Sequence, residues 1–169
     1  AAEGNDLIGR QYCAMALGNL AAEPMNHEEI VKSEGINALM CLLKTEDIES
    51  GRYAAFALSN LAANANHRQQ IVDEGGAAAL VALACCEDLN AQRQAMSALR
   101  GLCITPHYRP LVVQEGVLDP IVLMARTDEI EVLREVSAAL NCLSSVEENK
   151  MEICDRSIST IIAMLLSGD

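Results

Sequence analysis

The sequence returns to itself every 41 residues. Tyr12 to Ala21 reads YCAMALGNLA, Tyr53 to Ala62 reads YAAFALSNLA, Gln94 to Cys103 reads QAMSALRGLC and Glu135 to Ser144 reads EVSAALNCLS. Leu17, Leu58, Leu99 and Leu140 fall at steps of 41, as do Leu20, Leu61, Leu102 and Leu143, and an alanine precedes the first leucine each time. A period of this length belongs to stacked repeats, in which one unit cannot bury its apolar face alone and the neighbours complete a shared core. Function is therefore to be sought on a surface assembled from several repeats before any single active site.

The residue types agree with helices at close range. Half of the 169 residues are apolar, yet the aromatics are only Phe56 and three tyrosines, so the core is built of Leu, Ile, Val and Ala. Twenty-four acids against twelve bases give a formal charge of −12, which argues against an unaided nucleic-acid binder and against attraction to an anionic membrane surface. No uncharged apolar run approaches the length of a membrane span, so direct membrane insertion is not expected. Seven cysteines, an odd number with no C-x-x-C pair, read as reduced core residues of an intracellular protein, in the cytoplasm or the nucleus.

Each unit reads as short helix, medium helix, long helix. The long ones follow the acidic pairs Glu46-Asp47, Glu87-Asp88 and Asp128-Glu129, which can cap free amides and meet the positive helix end. A first long helix is expected from about Gly9 to Ala22, with Ala1 to Gly9 as a helix end and a loop. Short segments follow at Glu28–Ser33, Arg68–Asp73, Leu111–Gln114 and Lys150–Asp155. Glu34-Gly35, Glu74-Gly75 and Glu115-Gly116 then stop the first three, glycine supplying the left-handed turn. Medium helices carrying Leu39, Leu80, Ile121 and Ile162 come next; Asp119-Pro120 reads as a cap followed by proline at the first helical position.

These features resemble the armadillo repeat: three helices in about 41 residues, an E-G turn between the first two, and an A-L-x-N-L-A core on the third. The resemblance covers the whole chain and implies an all-α, right-handed superhelix of about twelve helices. As one solenoid segment over 1–169, it divides into partial repeats at 1–23 and 147–169 around repeats 24–63, 64–104 and 105–146. Asp169 falls in phase with Asp128. Too many apolar residues between Ile158 and Leu166 for one buried stripe point to a segment of a longer solenoid, or to an end covered by another chain with possible self-association there. The runner-up class is the HEAT repeat.

In armadillo proteins the third helices line a groove. Positions i, i+4 and i+8 opposite the buried leucine read Gln11, Met15, Asn19; Arg52, Phe56, Asn60; Arg93, Ser97, Gly101; and Arg134, Ala138, Cys142. With Arg100 close by, these are the candidate peptide-binding residues. The resemblance implies that asparagine grips the backbone of an extended peptide; Met15 and Phe56 stand where import receptors tend to carry Trp. Asn19 and Asn60 can equally be exposed helix residues or bond to the next repeat. The arginines form either a locally positive groove suited to acidic residues of a partner, or pairs with loop acids on adjacent repeats.

The resulting expectation is a protein-interaction scaffold that binds an extended segment of a protein partner, without nucleic acid. Alternatives are an import-type receptor for basic nuclear signals and a structural spacer in a larger assembly. No catalytic, cofactor-binding or metal-binding residues are expected. His27, His67 and His107 sit at turns, and His27-Glu28-Glu29 lacks the second histidine of a zinc-protease helix. Cys103 and His107 are four residues apart, but Thr105-Pro106 breaks the helix between them.

Overall fold

The computed structural model describes residues 2–166, with side chains from Leu7 onward. Ala1 and residues 167–169, including Asp169 and its phase with Asp128, lie outside the described residues. Among the described residues there are eleven α-helices and no strand. They are α1 (Ala2–Ala21), α2 (His27–Lys32), α3 (Gly35–Leu43), α4 (Ile48–Leu61), α5 (Ala65–Asp73), α6 (Gly76–Ala84), α7 (Leu89–Leu102), α8 (Arg109–Gln114), α9 (Leu118–Met124), α10 (Ile130–Leu143) and α11 (Glu147–Leu166). Short 3-10 turns at Pro24–Asn26 and Pro106–Tyr108 precede α2 and α8. No helix among the described residues is long and apolar enough to cross a membrane.

The long helices α1, α4, α7 and α10 stack side by side, and the medium helices pack on them. Leu58, Leu99 and Leu140 are buried at steps of 41, and Leu61, Leu102 and Leu143 run beside them. Leu17 is only half-buried and Leu20 is exposed; among the described residues α1 packs chiefly on α4. The apolar spine is thus continuous from α4 to α10 and open at α1.

Caps follow the acidic pairs in two repeats out of three. Asp47 accepts from the Ser50 amide at 3.1 Å and Asp88 from the Ala91 amide at 2.7 Å. Glu129 has the same phase but makes no side-chain cap; the extra methylene of Glu spoils the reach, and Thr127 Oγ1 accepts from the Glu129 amide instead, at 3.2 Å. Partial burial pushes the Asp47 carboxyl up, but hydrogen bonds from Ser50 and Gln11 and from backbone amides outweigh it and hold the group below its ordinary value of 3.8.

The left-handed turns recur at steps of 41, though the residue that makes them differs from expectation in the first repeat. Glu34, Gly75 and Gly116 have φ of 59°, 79° and 92°. Gly35 therefore follows the turn rather than forming it. Its lack of a side chain serves close packing: a Cβ there would lie 2.5 Å from Ile30 Cγ2, as one on Gly76 would from Ile71 Cγ2. In the third repeat α9 begins at Leu118, so Asp119 and Pro120 lie inside its first turn, two steps later than a cap and first position. Proline costs nothing there either, since the first four amides of a helix have no intrahelical partner.

Two expected breaks are absent. Ser157 stands at the phase of Glu34, Gly75 and Gly116 but makes no left-handed turn, and the short and medium helices run together as the single 20-residue α11. This accounts for eleven helices rather than about twelve. At the other end α1 runs back to Ala2 in place of a helix end and a loop.

Candidate functional site

The candidate residues lie on α1, α4, α7 and α10, and most are half-buried because each long helix is flanked by another. Asn19 and Arg134 are exposed; Gln11, Met15, Arg52, Phe56, Asn60, Arg93, Ser97 and Arg100 are intermediate. Gln11 donates through Nε2 to both Asp47 carboxylate oxygens, at 3.1 and 3.2 Å, tying α1 to the start of α4. Phe56 packs toward Gly18 so closely that a Cβ on the glycine would lie 2.9 Å from Phe56 Cδ1. One repeat on from Asn60, Gly101 presses on Ala62, at 3.0 Å from its Cβ for an added side chain. Cys142, a further repeat on, donates its thiol to the Cys103 carbonyl at 3.2 Å. Asn60 differs from both: its Nδ2 is buried and has no hydrogen-bond partner among the described residues. A buried donor without an acceptor is costly, and with Gln92 Oε1 this atom is one of two unfinished polar groups on the long helices among the described residues.

The arginines resolve into pairs. Arg52 donates to Glu49 at 2.6 and 3.0 Å and lies over the Tyr53 ring, 4.3 Å from its centroid. Arg134 donates to Glu131 at 2.6 Å, and Arg100 to Glu135 on the next long helix at 3.0 Å. Two of these acids are therefore on the arginine's own helix rather than in a loop of the adjacent repeat. Arg93 makes no ion pair among the described residues; it lines a cleft with Leu89, Asn90, Val132 and the acids Glu129 and Glu131. In the ladder, Arg52 and Arg134 are thus compensated by acids of their own helices and Arg93 is not ion-paired among the described residues. Glu49 raises the Arg52 pKa further, so that guanidinium stays charged.

A recurring contact that the sequence analysis does not reach joins the repeats. His27 Nε2 lies 2.8 Å from the Ala21 carbonyl, Arg68 donates to the Ala62 carbonyl at 2.7 Å, and Arg109 to the Cys103 carbonyl at 2.8 Å. All three are at steps of 41, and each holds the last carbonyl of a long helix from six residues further on. Asn26 and Asn149 do the same one position earlier, with Leu20 and Leu143. Arg68 also donates to Ala63 and to Thr105 Oγ1 of the next repeat. The readable signal was a polar side chain six or seven residues after each A-L-x-x-L segment.

These contacts give the histidines structural employment. His27 and His67 are buried edge to face, with ring centroids 6.0 Å apart, and His107 is exposed beside Tyr108. No group of three metal-ligating side chains occurs among the described residues. Burial pushes the Cys103 thiol up to about 12, so it is no thiolate nucleophile at neutral pH. All seven cysteines are free thiols, but only Cys103 is buried, which corrects the expectation of core residues. Cys13, Cys41, Cys85 and Cys154 are exposed; Cys86 and Cys142 pack partly against the core.

A stack of three-helix units in 41-residue steps, with the long helices side by side, has counterparts among solved structures. A computationally designed armadillo repeat protein for modular peptide recognition superposes with a TM-score of 0.85 at 19% identity, over 94% of this chain and 69% of that one. The chain has an armadillo-type fold. A designed armadillo repeat protein in complex with the peptide (KR)4 superposes at 0.83 and 19% identity, again over 94% and 69%. An engineered protein at 24% identity gives 0.85, over 94% of this chain and 68% of that one. The chain thus spans about two thirds of the length of these three structures. No protein-family profile matches its sequence, and no curated protein matches it.

Proposed function

We propose that the chain is a peptide-binding scaffold, in which the row of long helices α1, α4, α7 and α10 receives an extended segment of a protein partner. The observation that carries this reading is the unpartnered Nδ2 of Asn60, set beside Phe56 on the face where Asn19 recurs one repeat earlier. An extended peptide has backbone carbonyls at regular intervals, and one of them would complete the Asn60 amide once its half-buried side chain turns Nδ2 outward. Met15 and Phe56 would take apolar side chains, and Gln11, Ser97 and Arg100 would border the peptide. Armadillo proteins designed for peptide recognition share the fold, which supports this use of it.

The charge pattern sets the partner's chemistry. Because Arg52, Arg100 and Arg134 already have acidic partners, a preference for acidic residues rests on Arg93 alone, with Glu129 and Glu131 lining the same cleft. A neutral, apolar-studded segment fits the α1–α4 half. A basic segment is the second reading, favoured by the formal charge of −12 and by the (KR)4 complex of a designed relative in fold. Selection from a random peptide library, followed by calorimetry, separates them. The first reading expects apolar peptides that Asn60→Ala weakens by ~0.5 to 1.5 kcal/mol with unchanged salt dependence. Lys- and Arg-rich peptides that Glu49→Gln and Glu131→Gln weaken would establish the second.

A further inference from the structure

The starts of the long helices carry a second row of contacts beside the groove, and we propose that this rim docks a basic amphipathic helix of a protein partner. The helices α4 and α7 begin with Ile48 and Leu89, which are 43% and 41% exposed although each helix has a long neighbour on both sides. Their exposure therefore belongs to the repeat itself and not to either end of the chain. Leu7 and Ile130 stand at the same phase and are also exposed, and no other phase exposes a large apolar residue more than once among the described residues. Single apolar residues scattered over a surface need no explanation, whereas one that recurs in register forms a row.

The caps do not call for these side chains. Asp47 and Asp88, one residue earlier, accept from the helix amides, and the first turn of a helix favours acids, whose charge meets the positive helix end. Ile48 and Leu89 instead lie on the face that carries Arg52 and Arg93 one turn later. The row thus borders the groove, two turns or about 12 Å along the helices from the level of Phe56 and Ser97.

Spacing and charge define the occupant. Packed helices lie about 8 to 10 Å apart, so the row offers an apolar contact at roughly that interval. Residues seven apart in an α-helix return to one face after about 10.5 Å. An extended strand covers the interval in about three residues, and an odd step turns successive side chains to opposite faces. A polyproline helix has a suitable repeat, but such segments dock between aromatic side chains and this row is aliphatic. The neighbouring charge is acidic. Glu46 and Glu87 precede the caps at steps of 41, are exposed and form no ion pair among the described residues. Leu89 shares a cleft of about 340 Å³ with Val132, Glu129 and Glu131 at the start of α10, against the guanidinium of Arg93. Lysines or arginines beside the partner's apolar stripe are therefore attracted, and acids there repelled.

The probe is a fluorescent peptide of Lys and Ala, about 21 residues long with Leu at every seventh position, titrated with the whole chain and followed by anisotropy. It should bind, more weakly as salt is raised, and a peptide of the same composition with its leucines spread around the helix should bind about tenfold less well. Ile48→Gln combined with Leu89→Gln, both at exposed positions, should weaken the in-register peptide by about the same factor. Glu46→Lys with Glu87→Lys should weaken it too, and should improve binding of a counterpart with Glu in place of Lys. Asn60→Ala should leave it unchanged, so that failure at the rim and failure of the groove reading are separate results. Should the glutamine variant melt early, the lysine variant, which alters only exposed acids, carries the test. Absence of binding overturns the proposal. So does equal affinity for the two leucine arrangements, which would reduce the contact to charge attraction alone.

Discussion

Residue-level energetics centre on groups that finish the backbone's hydrogen bonding where a long helix ends. Arg68 is buried without a carboxylate and is held by two carbonyls and Thr105, at the negative end of α4. Arg68→Ala should cost ~2 to 3 kcal/mol in urea denaturation, since charged hydrogen bonds are the strong ones. Arg68→Lys should recover only part, because an ammonium cannot reproduce the guanidinium fork. At the opposite end of the same helix, Asp47→Ala should cost ~1 kcal/mol at neutral pH. The Asp47 pKa is depressed in the folded state, so its contribution is fully present above the ordinary value of 3.8 and disappears as the pH falls through and below it. Denaturation at stepped pH should show the two chains converging toward acid; a constant gap would mean that the carboxylate's charge is irrelevant to the cap.

Helix boundaries are decided by a few backbone positions, and here the sequence was only partly legible. The long helices could be placed from the leucine and alanine spacing because burial on one face demands it. The turn at Glu34 could not, since a non-glycine residue adopts φ of 59° where the pattern suggested its glycine neighbour. The fusion of α11 was hidden in a single Gly-to-Ser change of phase, and its cost shows in the buried Ser157 Oγ, which has no partner among the described residues. Gly75→Ala should destabilise by ~1 to 2 kcal/mol through its positive φ. Gly76→Ala should be at least as damaging for a different reason, because the new methyl meets Ile71 Cγ2 at 2.5 Å and its carbonyl at 2.6 Å. Thermal melts of the two variants check this; equal tolerance of both would mean that the α5–α6 turn rearranges freely.

Across the whole molecule the 41-residue period sets both stability and surface. Leu99 is 1% exposed between two neighbouring long helices, so Leu99→Ala should cost ~2 to 5 kcal/mol, while the half-exposed Leu17 should cost ~1 kcal/mol or less when changed the same way. The same periodicity that revealed the stack said less about the groove. Phase alone placed Arg52, Arg93 and Arg134 in a ladder, but the pairing of Arg52 with Glu49 and of Arg134 with Glu131, and of the nearby Arg100 with Glu135, depends on rotamers and neighbours that no spacing records. The central claim is that an extended partner lies along α1, α4, α7 and α10. Its most direct measurement is NMR chemical-shift mapping of the labelled chain with a library-selected peptide. The account predicts shifts concentrated at Met15, Asn19, Phe56, Asn60 and Ser97, with α2, α5 and α8 unmoved; shifts confined to α2, α5 and α8, with the Asn60 side-chain amide unchanged, would contradict it.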